Sequence, residues 1–411
     1  SDYIWLNKMN NPNFDNNGAY YSTPKKDQDW LTDKTYVKTS DGTNPTGKIY
    51  SPTLGYTFDL AGNDYINFYK CNLYGSVIRK NRVKDFPNGP IPDHITIDSC
   101  DIKYSLDYGS LFDLYKGHDY WTIKNSELSY ATNAIYTKTF DGIPGARFLK
   151  VENNYIHDIG GPNFIHQDAH AVGIQGGEGH IIQNNTIENT GSAIEFWSSS
   201  DSMFNMTVRN NFIKNIRVMS TTGGNGIVIS GDNKFATSGR RTGFRIYNNI
   251  IINTGIGATE ADWQGFGISS NNVDRVEIYN NVLYNNLGGI RLSPNTIFVY
   301  GSVYNNIIVN PQSEIYAKIS GNKFFLDWDN NLYYPLSSLK DTDSYSLFGL
   351  RETNSILADP MFVSLNPSNK TDFKLKENSP AIDKGKDVGL SKDSLGNDID
   401  GNPDIGAYEI K

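Results

Sequence analysis

One asparagine returns through this chain inside the same short motif. It stands in VENNYIHDIG (Asn154), IIQNNTIENTG (Asn185), VRNNFIKNI (Asn211), IYNNIIINTG (Asn249), IYNNVLYNN (Asn281), VYNNIIVNP (Asn306) and WDNNLYYP (Asn331). The intervals are 31, 26, 38, 32, 25 and 25 residues. Self-similarity at such a period marks a solenoid, in which each repeat is one supersecondary unit stacked on the next. The column extends backwards with Ser126, Cys100 and Cys71 in the same slot. Asparagine suits the slot because it tolerates a left-handed backbone and its amide can bond the amide one coil away. The only two cysteines are then neighbours in one column. They are either a buried thiol stack replacing asparagines or a redox pair or disulfide.

Between these motifs, β-branched and aromatic runs alternate with Gly, Asn and Asp, and helical periodicity is absent apart from possible traces near the N-terminus. Coils of this length hold three short strands and three turns. The predicted fold is all-β: a parallel β-helix of about ten coils, right-handed by the handedness rule for parallel connections. Residues 1–50 are expected as an N-terminal cap, 51–335 as the β-helix, and 336–411 as last coils and cap. Composition narrows function by exclusion. A formal net charge of -8 with no basic tract disfavours nucleic acid or an anionic membrane as partner. Two cysteines exclude a disulfide scaffold, and the six histidines show no metal-ligating spacing. No apolar run reaches the length of a membrane span, and no basic-then-apolar leader opens the chain.

A second column follows each asparagine. Its apolar members Phe58, Ile78, Phe112, Ile135, Ile174, Ile194, Ile227, Ile268 and Ile290 are expected to point inward. Strand alternation then turns Asp59, Arg79, Asp113, Tyr136, Gln175, Glu195, Val228, Ser269 and Arg291 outward. Two residues later on that face come Tyr115, Lys138, Gly177 and Trp197. Two residues earlier the slot is small (Gly173, Ala193, Gly226, Gly267, Gly289), which suggests a groove with one open wall. The loops 160–170 and 255–266 are long enough to rise beside it, and 231–243 leaves from its other side.

The repeats, together with a tail carrying SPAIDKG (379–385) and DIGAYE (404–409), resemble secreted right-handed parallel β-helix proteins of bacteria, the pectate-lyase and glycoside-hydrolase superfamily. The resemblance covers roughly residues 50–410 and implies a secreted or cell-surface protein whose partner is a polysaccharide, such as a plant cell-wall glycan. Members act as lyases, hydrolases or epimerases, or bind without catalysis, as do the cellulose-binding adhesins of tāpirin type.

The densest reactive set spans two coils: His166, Asp168 and His170 in the loop, Gln175 on the strand, then Glu195 and Trp197. Glycoside hydrolysis needs two carboxyl groups, about 5–5.5 Å apart for retention and roughly 6.5–9.5 Å for inversion. Glu195 beside aromatic residues is the candidate general acid, Asp168 the base or nucleophile, and His170 the group orienting Asp168. Trp197, Tyr136 and Tyr115 offer ring faces to sugars, with Gln175, Lys138, Arg291 and the loop residue Trp263 as further substrate contacts. Each has a plainer reading as a turn cap, packed ring or solvated rung. Asp59, Arg79 and Asp113 alternate in sign and read first as a structural ion ladder. Their functional alternative is Ca2+ held by Asp59 and Asp113, although no cofactor is required. A lyase would draw its base from Lys138 or Arg291 and has less support from this acidic set.

Overall fold

The computed structural model describes residues 7–9, 19–22, 35–37, 64–75, 93–105, 110–114, 118–139, 145–160, 169–198, 202–219, 222–231, 241–293, 299–319, 324–336 and 352–410. Three long sheets run through them. Sheet I has 10 strands, sheet II has 11 and sheet III has 8. Successive strands of one sheet come from successive coils and pair in parallel, as in Lys150–Glu152 with Ile181–Gln183 (sheet I), Tyr155–Ile159 with Thr186–Glu188 (sheet II) and His170–Ile174 with Ser192–Ser198 (sheet III). The chain is a parallel β-helix. Near the N-terminus, Asn7–Met9, Ala19–Ser22 and Thr35–Val37 form a separate three-stranded sheet.

Each strand sends one apolar residue to the axis, in register with the coils above and below. Sheet I stacks Ile97, Ile123, Val151, Ile182, Val208, Ile246, Ile278 and Val303. Sheet III stacks Phe112, Ile135, Val172, Ile194, Ile227, Ile268 and Ile290. All are buried in one continuous core. Burying each such side chain contributes about 1.5–3 kcal/mol, so the column of β-branched residues drives the winding.

The turn between sheets I and II divides the work of the Asn-Asn pair. The first asparagine (153, 184, 210, 248, 280, 305, 330) takes the left-handed backbone, with φ between 53° and 58°. The second builds the ladder. In Asn185 the backbone N–H and Nδ2 both donate to Asn211 Oδ1 at 3.0 Å, and Nδ2 also donates to Val151 O at 3.0 Å. The pattern repeats through Asn331, whose N–H donates to Ser355 Oγ at 2.9 Å. Backwards, Ser126 accepts from Cys100 N–H at 3.0 Å, and Cys100 Sγ accepts from Cys71 N–H at 3.4 Å. Both cysteines are free thiols occupying the asparagine slot. The left-handed geometry thus belongs to the residue before the ladder asparagine, not to the ladder residue itself.

The C-terminal segment returns to the coils. It folds back along the I–II corner. Phe362, Phe373, Leu375, Ala381, Ile405 and Tyr408 pack on Phe212, Ile250, Val282, Ile307 and Leu332 of sheet II. The left-handed asparagines clasp its backbone: Nδ2 of Asn330, Asn305, Asn280 and Asn248 donate to the carbonyls of Lys384 (3.0 Å), Lys386 (2.8 Å), Gly406 (3.0 Å) and Lys392 (3.3 Å).

Candidate functional site

The outer face of sheet III carries the polar column, with one change of register. Val172, not Ile174, pairs with Ile135 and Ile194, so Gly173 takes the rung between Tyr136 and Glu195. Gln175 moves one outward position further on, beside Lys138 and Trp197. The shift is by two residues, so every side chain keeps its face. Close approach explains the glycine: a Cβ at 173 would sit 2.3 Å from the Tyr136 ring. Down the axis the rungs are Asp113, Tyr136, Gly173, Glu195, Val228, Ser269, Arg291 and Lys318, about 4.8 Å apart.

The small column is a corner and not an open groove wall. A Cβ at Gly226 would meet Ile251 Cγ2 at 2.6 Å, at Gly267 a Leu283 methyl at 3.0 Å, and at Gly289 an Ile308 methyl at 2.9 Å. These partners belong to sheet II. The residues are small because the chain turns there against its own core.

Around Tyr136 the side chains interlock. Its hydroxyl accepts from Gln175 Nε2 at 2.8 Å, and its ring lies parallel to His170, with centroids 5.6 Å apart and planes at 4°. Lys138 Nζ sits 5.1 Å from the Tyr136 centroid and 3.2 Å from Asp113 Oδ1. The Tyr136 ring is therefore packed among protein groups and is half-buried. Asp113 keeps its outward rung beside Tyr136, but it is buried there and Lys138 neutralises it. Among the described residues no group of three or more His, Cys, Asp or Glu gathers to hold a metal. Asp59, Arg79 and Tyr115 lie outside the described residues.

On the other side of His170, Nδ1 stands 3.3 Å from Glu195 Oε2, with the His170 side chain 4% exposed and that of Glu195 18%. The imidazole expected to orient Asp168 is thus a partner of Glu195; Asp168 and His166 lie outside the described residues. His170 is fixed through its backbone, whose N–H donates to Asn133 Oδ1 at 2.9 Å. Trp197, 36% exposed, lies on the Glu195 side of the face. The result is a carboxylate within reach of solvent, held by a buried imidazole, beside an exposed indole. Such a group can give or take a proton at a bound ligand. Asp113 cannot act with it, being three rungs away, about 14 Å.

Further along, the loop after Ile250–Ile256 rises beside the face. Gln264 Oε1 accepts from the N–H groups of Thr259 and Glu260, both at 2.9 Å, and Trp263 Nε1 donates to Glu260 Oε2 at 2.5 Å. The Trp263 ring packs over Gly223. Asp262 reaches back to Lys318 Nζ at 2.6 Å. Lys318 escaped the sequence reading because its strand lies past the last glycine-marked member of the column; its place opposite Arg291 is set by register alone.

Fold and face together describe a parallel β-helix with a polar, aromatic-flanked outer strip. Comparison with solved structures finds these similarities. The crystal structure of pectate lyase Pel9A is 15% identical at a TM-score of 0.44, over 84% of this chain and 83% of that one. The complex of XylC with xylose is 11% identical at 0.46, over 78% and 65%. An alginate lyase from Paenibacillus sp. str. FPU-7 is 17% identical at 0.37, over 64% and 96%. No protein-family model and no curated protein matches the chain. No helix among the described residues is long and apolar enough to cross a membrane.

Proposed function

We propose that this is an extracellular carbohydrate-active protein that lays a polysaccharide along the outer face of sheet III and cleaves it by hydrolysis. One observation carries the reading: the Glu195 carboxylate, paired with buried His170, lies two residues from the exposed ring of Trp197 on the same outer face. Glu195 acts as general acid, and His170 holds its carboxylate in place. Trp197 stacks on a sugar ring. Asp168, two residues before His170 in the chain, is the proposed second carboxyl group, which hydrolysis requires.

The test is a panel of plant and algal polysaccharides assayed for new reducing ends. Glu195→Gln is expected to cost about 100-fold or more in turnover while leaving glycan binding intact. Unchanged hydrolysis in that variant would remove Glu195 from the chemistry. Unsaturated products, seen by ultraviolet absorbance, would replace hydrolysis by elimination. Retention on solid cellulose, lost with Trp197→Ala and without any product, would replace it by non-catalytic adhesion.

A further inference from the structure

Resting on that glycan reading, we propose that Arg291 and Lys318 form a subsite for a negatively charged sugar, occupied in the free protein by the chain's own Asp262. The two cations are direct register partners on adjacent strands. They continue the column of Glu195, about 14 and 19 Å further along the axis. Like charges directly opposite one another on a sheet are unfavourable, so the pair calls for an anion. What meets it is one carboxylate on a loop: Asp262 Oδ1 is 2.6 Å from Lys318 Nζ, and the aspartate side chain is 86% exposed against 23% for the lysine.

One carboxylate leaves two cations half-compensated, and the surroundings show the deficit. The Arg291 guanidinium is desolvated, which depresses its pKa, and Asp262 works against that shift. Its Nη1 donates to Ser269 Oγ at a long 3.5 Å. Among the described residues, Arg291 Nε, Asn271 Oδ1 and Ser293 Oγ are buried without hydrogen-bond partners. Asn271 and Ser293 are themselves register partners, two residues beyond the Ser269–Arg291 pair on the same face. A carboxylated or sulfated sugar with free hydroxyls supplies what is missing: an anion for the cations, and donors and acceptors for the amide and hydroxyl. The loop that delivers Asp262 is closed on itself through Gln264 and Glu260. It can therefore yield its place without unpairing a coil.

Binding would be measured by calorimetry with two charge-matched pairs: polygalacturonate against its full methyl ester, and dextran sulfate against dextran. The charged member of at least one pair is expected to bind about tenfold tighter or more, with that preference lost in Arg291→Gln and in Lys318→Gln. Whichever charged polymer wins identifies carboxylate or sulfate. Asp262→Asn, on an exposed loop, is expected to tighten charged-polymer binding severalfold by removing the competitor. Equal affinity within both pairs, or an Asp262→Asn variant indistinguishable from wild type, overturns the subsite. Neutral glycan cleaved through Glu195 with no charge preference would overturn it and leave the hydrolase reading standing. Tight charged-polymer binding without cleavage would do the reverse.

Discussion

At the scale of single residues, the ladder asparagines and Gly173 carry the most consequence. Asn211 accepts from two donors of Asn185 and gives its amide to Ile182 O and Asn249 Oδ1. Asn211→Ala would strand these buried groups, and a loss of about 3 kcal/mol is expected in urea unfolding. Cys100→Ser should cost far less, since Ser126 already fills the equivalent slot with its hydroxyl on Lys124 O at 2.7 Å. Gly173→Ala drives a methyl into the Tyr136 ring. The expected outcome is a loss of turnover with secondary structure intact, followed by activity assay and circular dichroism, because displacing Tyr136 disturbs His170 and with it Glu195. The recurring motif made the ladder legible in sequence. The Gly173 register was not legible: AVGIQGG contains two apolar residues of equal parity, and only the size of Tyr136 one coil away decides which one pairs.

At the scale of elements, the outward columns change character along the helix. In sheet II the column reads Thr186, then Phe212, Ile250, Val282, Ile307 and Leu332. In sheet I it reads Gln183 and Arg209, then Tyr247, Tyr279 and Tyr304. The switch from polar to apolar marks where the C-terminal segment lies. That signal stood in the sequence, but periodicity alone cannot tell an outward apolar column from a second inward one. Where the last coil meets this segment, Glu352 is desolvated against Tyr333, and its pKa is raised to about 8 from 4.5. The sign follows from proton uptake: between these values the folded state holds the proton more tightly, so stability is greatest below 4.5 and falls as pH climbs through 8. Glu352→Gln is expected to flatten that part of the melting-temperature profile relative to wild type.

At the scale of the whole molecule, the strip on sheet III and the C-terminal segment occupy different sides, so binding and stability are separable by mutation. Removing residues 352–411 would uncover the apolar columns of sheets I and II. The expected result is a loss of several kcal/mol and self-association on sizing columns, whereas Trp197→Ala should leave both unchanged. How the strip is used was less legible than its position. Column alignment finds outward residues, but pairings such as His170 with Glu195 and Asp113 with Lys138 depend on side-chain reach between coils.

Coils in a solenoid touch only their neighbours, so each could fray at its own threshold. Here a strand of tail carbonyls is gripped by asparagines from four coils, Asn248 to Asn330. That grip works as a splint: no spanned turn can open alone without first letting go of the tail. Pulled from its C-terminus, the molecule should resist as one body while the tail peels away, and only then unwind coil by coil.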